Sequence, residues 1–228
     1  MPSEQNPKLA GSNIIDCIPQ TGKCPNGCEG CFYNEGFYRP LDEPLLPTVN
    51  EVGDRIVRVN SGHDSNLERE KVLAATAQYP HRFYNTNMPM FDFPAPVVFT
   101  CNGREPLFVD VPANVMAVRV RCNSWGLLEQ EQLILHYSAQ GVPVVVTWMR
   151  YAFDAAIPAL HRVFYEKGKH VTNEYWMVTS LLWRAVAAYF AGKGVRYCGT
   201  PWSSACADCR NCEFLYWDCV RRMKGSER

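Results

Sequence analysis

Cys24-Pro25-Asn26-Gly27-Cys28-Glu29-Gly30-Cys31-Phe32 is the stretch from which the rest of the chain is read. It places three cysteines in the spacing C-x3-C-x2-C. Thiolates are soft ligands that suit iron–sulfur clusters and zinc. A [4Fe–4S] cube takes four cysteine ligands, so a loop that offers three leaves one iron open to a small molecule. Pro25, Gly27 and Gly30 let the backbone curl tightly enough to aim three sulfurs at one point. Zinc bound in the same loop would want a fourth protein ligand.

With 228 residues the chain is long enough for one sizeable core, or one domain with an appendage. A hydrophobic share of 47% and an aromatic share of 12% belong to a globular chain rather than a disordered one. The formal net charge is zero, so total charge does not call for a nucleic-acid partner. Met1-Pro2-Ser3-Glu4-Gln5 has neither a basic start nor an apolar run, and no signal peptide is expected. No apolar stretch of about 18 residues occurs, so no membrane partner is expected and the location expected is cytoplasmic. Eleven cysteines in such a chain argue for metal rather than disulfides. They gather near the two ends, with Cys17, Cys101 and Cys122 scattered between them as small core residues.

Outward from the loop, strands and helices alternate. Gly11–Cys17 reads as a first strand, and residues 32–54, with Pro40, Pro44 and Pro47, as a long irregular connection. Arg55–Val59 alternates polar and apolar residues and reads as a strand. It runs into Asn60-Ser61-Gly62-His63-Asp64-Ser65 and then a helix over about 66–79, for which Ser65 and Glu68 form a capping box. Residues 81–87 read as an additional extended segment and Pro96–Thr100 as a buried strand ending at Cys101-Asn102-Gly103. In the strand 114–121, Arg119 and Arg121 share one face because strand side chains alternate; that face points either into a barrel or to solvent. A helix over 127–140, an apolar strand over 142–148, a solvated basic loop at 166–170, a long helix over 174–190 and a last strand over 194–198 complete the count at about six strands. If the strands form a parallel barrel, Thr147, Trp148 and Arg150 sit at a strand's C-terminal exit, where such folds place their sites.

The second cysteine group is Cys198, Cys206, Cys209, Cys212 and Cys219. Its C-x2-C-x2-C core is similar to compact runs that ligate [4Fe–4S] clusters. Cys198 or Cys219 could supply a fourth ligand; Cys198 is preferred because it ends a strand that would hold it rigidly. A four-cysteine zinc site is the chemical alternative, and iron is favoured by the neighbourhood of the first loop.

C-x3-C-x2-C with an aromatic beside the last cysteine resembles the cluster loop of radical S-adenosylmethionine enzymes. In that family, the amino and carboxylate groups of S-adenosylmethionine fill the open iron site. One electron then cleaves the cofactor to methionine and a 5′-deoxyadenosyl radical, which abstracts hydrogen from a substrate. The family's usual aromatic precedes the third cysteine; here Gly30 holds that position, and Phe32 and Tyr33 follow instead. The departure bears on the adenine contact and not on the ligand spacing. The resemblance covers Gly11 to Pro201. It implies an α/β fold: a partial (β/α)6 TIM-like barrel over residues 1–197, with a C-terminal cysteine-rich extension over 198–228 for an auxiliary cluster.

Residue by residue, the resemblance implies a catalytic [4Fe–4S] cluster on Cys24, Cys28 and Cys31, and a second [4Fe–4S] cluster on Cys198, Cys206, Cys209 and Cys212. The corner 60–64 stands where the family carries Gly-Gly-Glu, which binds the cofactor's amino group. Only Gly62 agrees, so Asn60, Ser61 or Asp64 would supply the polar atoms; an ordinary capped turn is the alternative. Asn102 fits the family's Thr-Asn-Gly-like turn, with Cys101 inserted. Arg119 and Arg121 come from a region the family often uses to hold the cofactor's carboxylate. The resemblance also implies an electron donor such as flavodoxin or ferredoxin. The substrate stays open, with a nucleotide, nucleic acid or peptide ahead of small metabolites, because the family's short barrels have a wide lateral mouth. No residue is assigned as catalytic. The competing function is a two-site zinc-binding module that recognises nucleic acid or protein.

Overall fold

A computed structural model of the chain describes residues 6–28, 31, 40–101, 107–170 and 173–226. Among these, runs rich in β-branched and aromatic residues become seven strands of one sheet: β1 (Ile14–Cys17), β2 (Ile56–Val59), β3 (Arg82–Thr86), β4 (Val97–Cys101), β5 (Val115–Cys122), β6 (Val144–Trp148) and, after an intervening hairpin, β9 (Arg196–Tyr197). The hairpin is β7 (Tyr165–His170) with β8 (Asn173–Val178). The seven strands pair in chain order, each parallel to the next. Their sheet curls into a half-barrel.

The helices are α1 (Val49–Val52), α2 (Arg69–Thr76), α3 (Leu127–Ala139), α4 (Ser180–Tyr189), the single turn α5 (Cys206–Cys209) and α6 (Asn211–Ser226). Alternation along each strand separates two faces. The outer face carries Val57, Val59, Tyr84, Phe99, Val118 and Val146, buried with Val72 of α2, Ile134 and Tyr137 of α3 and Val186 of α4. On the inner face, the ends nearest the strands' N-termini are apolar: Ile14, Ile56, Phe83, Val98, Ala117 and Val145. Leu215, Tyr216 and Cys219 of α6 pack against them. α6 therefore packs on this face of the sheet and shares its core. Apolar burial of this kind is the main source of stability, at about 25 cal/mol per Å².

Four expectations change. The helix expected over 66–79 shortens to α2, and its N-cap is Glu68 in a left-handed conformation (φ 48°) without a side-chain cap. Ser65 instead accepts from the Asn60 amide (3.2 Å), and the Asp64 carboxylate accepts from the Asn66 N–H (2.9 Å). Local side-chain bonds of this kind compete with a helical start. The helix expected over 174–190 begins only at Ser180, where Thr179 caps it. Residues 173–178 and the supposed loop at 166–170 are β8 and β7, because Tyr175, Trp176 and Val178 favour a pleated surface and Trp176 also bridges Tyr151. The sheet has seven strands rather than six, since Arg82–Thr86 is a full member between β2 and β4. Among the described residues, no helix is long and apolar enough to cross a membrane.

Candidate functional site

Towards the C-terminal ends of the strands the inner face turns polar. Asp16, Arg58, Asn85, Thr100, Arg119 and Thr147 succeed the apolar positions two residues earlier. These side chains line a cavity of about 530 Å³, a size suited to a small-molecule or cofactor ligand. Arg58 holds Asp16 with two bonds, Nε to Oδ1 at 2.6 Å and Nη2 to Oδ2 at 3.1 Å. Burial works against the Arg58 charge, but Asp16 more than offsets it and holds the guanidinium above its ordinary pKa. Asp16→Asn leaves that buried cation without its counter-charge and is expected to cost about 3–5 kcal/mol of stability. Urea unfolding checks this; an unchanged midpoint would mean the pair is solvated.

The first cysteine loop closes one end of the cavity. Cys24, Cys28 and Cys31 all line it, and the Cys31 N–H donates to the Cys28 carbonyl at 3.2 Å. Burial raises the pKa of Cys24 and Cys28, and the neighbouring thiols of the set raise it further. Arg121, at the exit of β5, faces them: burial lowers its pKa, and Cys31 and Cys28 act in the opposite direction. Asn87, just past β3, ties the loop to the sheet. Its amide donates to the Cys28 Sγ (2.9 Å), its Oδ1 accepts from Asn26 (2.9 Å), and its own N–H donates to Asp64 (2.6 Å).

The corner after β2 opens onto the same end through Asn60, Ser61, Gly62 and Asp64. Asn60 is 1% exposed and adopts φ 60°, a left-handed conformation that asparagine tolerates better than most residues. Its amide nitrogen is used on Ser65, while its Oδ1 is buried with no hydrogen-bond partner among the described residues. A buried acceptor left without a partner is costly, and this one is suited to an incoming N–H. Asp64 is engaged otherwise, accepting from Thr86 Oγ1 (2.9 Å) as well as from the Asn66 and Asn87 N–H groups.

The second cysteine group has a recess of its own. Cys198 follows β9, with its N–H on the Val146 carbonyl (2.8 Å). Cys206 and Cys209 begin and end α5; Arg210, left-handed at φ 47°, breaks the helix before Cys212 at the start of α6. Asn211 anchors that start by donating to the Tyr197 carbonyl (2.8 Å). Cys198, Cys206, Cys209 and Cys212 line one small recess together with Arg58 and Arg119. A hydrogen bond from Cys209, aided by Arg119 and Arg58, outweighs burial and holds Cys198 well below the ordinary thiol pKa; the same bond holds Cys209 above it. Burial raises Cys206, and takes Cys212 up to about 11. Cys219 sits apart, fully buried, with its thiol against the Ala113 and Asn114 carbonyls (3.5 and 3.4 Å).

Cys198 and Cys206 also line the large cavity, so both cysteine groups open onto one space. Lys8, from the N-terminal 3-10 turn Pro7–Leu9, and Arg150, just past β6, enter it beside them. Burial, with Arg150 repelling it, brings the Lys8 ammonium down to about 8.

The two arginines of β5 thus divide: Arg121 faces the first cysteine loop and Arg119 the second group. Phe32, Tyr33 and Asn102 lie outside the described residues. Asn87, Asp16, Arg58 and Lys8 were not anticipated from sequence; only their place in the sheet and in the N-terminal turn brings them to the cavity. Among the described residues, no group of three or more His, Cys, Asp or Glu side chains is already gathered as a metal's ligands would be. No family model, curated protein or solved structure matches the chain.

Proposed function

We propose that this chain is a radical S-adenosylmethionine enzyme acting on a substrate held between two iron–sulfur clusters. The observation that carries the reading is the shared cavity: Cys24, Cys28 and Cys31 line it, and so do Cys198 and Cys206. It lies towards the C-terminal ends of parallel strands, where such sheets carry their sites. The donor set fits the groups. Soft thiolates suit iron, three in the first loop leave one iron open, and four in the second group satisfy a cube. When bound at Cys24, Cys28 and Cys31, such a cluster supplies the electron that cleaves S-adenosylmethionine to methionine and a 5′-deoxyadenosyl radical.

The chain's own residues orient and enclose. Asn60 offers its unpartnered Oδ1 to the cofactor's amino group. Arg121 offers forked donors to its carboxylate. Arg58 and Arg119 stand against the second cysteine group as counter-charges. Asn87 holds Cys28 by its sulfur. Ligand-orienting bonds of this kind are worth about 10–100-fold in metal affinity, so Asn87→Ala is expected to lose iron to a chelator far faster than wild type. Equal loss rates would remove Asn87 from this role. The reading itself is tested by anaerobic purification with iron, sulfide and zinc analysis. About eight irons per chain are expected for two clusters, whereas zinc without iron would favour the two-site zinc module.

A further inference from the structure

The cavity has two chemically different ends. The orphan at the first-loop end is an acceptor, Asn60 Oδ1. Where β6 and α4 reach the cavity, the orphans can all donate: the Thr147 hydroxyl and the Trp148 and Trp183 indole N–H groups are buried and have no partner among the described residues. Two cations enter on the same side, Lys8 and Arg150. Arg150 is held in place: its Nη1 donates to the Tyr175 hydroxyl at 3.0 Å, and its guanidinium lies 4.6 Å from the centre of that ring. Tyr175 is supplied by β8, so the hairpin inserted between β6 and β9 is what fixes Arg150. On the other side the guanidinium reaches Gly199, where an added Cβ would lie 4.0 Å from its Nη2. Gly199 directly follows Cys198 and has φ +82°, a conformation glycine adopts at no steric cost. Five Lys or Arg and two Asp side chains line the cavity. Asp16 is bonded to Arg58, and Asp64 accepts from Thr86, Asn66 and Asn87.

We infer that Arg150, braced by Tyr175 and joined by Lys8, forms the anchor for an oxyanion of the substrate, a carboxylate or a phosphate, beside the second cysteine group. Guanidinium forks match both oxyanions, and a site built of donors wants an acceptor. Met177, Val178 and Trp183 line the same side, so the anion is expected to carry an apolar or aromatic body. The inference names the substrate class of the proposed active site and rests on that cavity being the one used.

The test is calorimetric titration of anaerobically prepared full-length protein with inorganic phosphate and, separately, with acetate. Saturable binding of either supports the anchor, and the tighter of the two identifies the anion. Arg150→Gln is expected to weaken it by about tenfold or more, the worth of a charge-assisted hydrogen bond. Tyr175→Phe, which removes only the brace, is expected to weaken it less and serves if Arg150→Gln does not fold. Arg221→Gln, at an exposed position on α6, should bind as wild type. Wild-type affinity in Arg150→Gln or Tyr175→Phe, or failure of both anions to saturate, overturns the anchor. So does loss of binding in Arg119→Gln with Arg150→Gln unaffected, which would put the anion under the second cysteine group. The readout involves neither iron nor S-adenosylmethionine. Protein that cleaves the cofactor but binds no anion removes the anchor alone; anion binding in protein without iron removes the radical chemistry alone.

Discussion

Replacing Cys24, Cys28 and Cys31 together by alanine is expected to remove about four of eight irons per chain and to abolish S-adenosylmethionine cleavage. The three side chains line one cavity, and the proposed reading gives them a common cluster. Cys28 and Cys31 are only partly buried, while Cys24 is buried where it lines the cavity. Only Cys24 is buried, so the triple variant should fold with a loss of about 1 kcal/mol of stability and retain the second set's iron. Iron analysis with a cleavage assay checks both halves. Full iron content in the triple variant would place the metal elsewhere.

Cys198→Ala and Cys219→Ala should differ in kind. Cys198 lines the recess with Cys206, Cys209 and Cys212, and Arg119 and Arg58 favour its thiolate, the form a metal binds. Its loss is expected to take iron from the second group while the first keeps its own. Cys219 faces the Ala113 and Asn114 carbonyls within the apolar core under α6. Its replacement is expected to cost about 1 kcal/mol of stability and no iron. Reversal of the two phenotypes, by iron content and urea midpoint, would make Cys219 the fourth ligand.

The parallel strands are legible in the sequence where apolar runs are long and bounded, as at Val97–Cys101 and Val144–Trp148. The β7–β8 hairpin is not. Glu174-Tyr175-Trp176-Met177-Val178 is apolar enough for a buried helix or a strand, and its pairing with β7 and the Tyr151 bridge decide the matter. The place of α6 is equally hidden: its apolar positions announce a buried face, but not that the face packs on Ile14, Ile56, Phe83 and Val98 of the sheet. Among site residues, the cysteines are legible through their spacing. Asn87, Arg58 and Lys8 are not, because each is an isolated polar residue whose partner lies across the sheet or at the far end of the chain. The separation of Arg119 from Arg121 is partly legible. Alternation puts both on one face, and only the third dimension sends one to each cysteine group.

The measurement that bears most directly on the account is the formation of 5′-deoxyadenosine and methionine from S-adenosylmethionine by the anaerobically prepared, chemically reduced protein. The account predicts both products from wild type and neither from the protein lacking Cys24, Cys28 and Cys31. An iron-loaded wild-type protein that forms neither, or forms both at the rate of that triple variant, would contradict it.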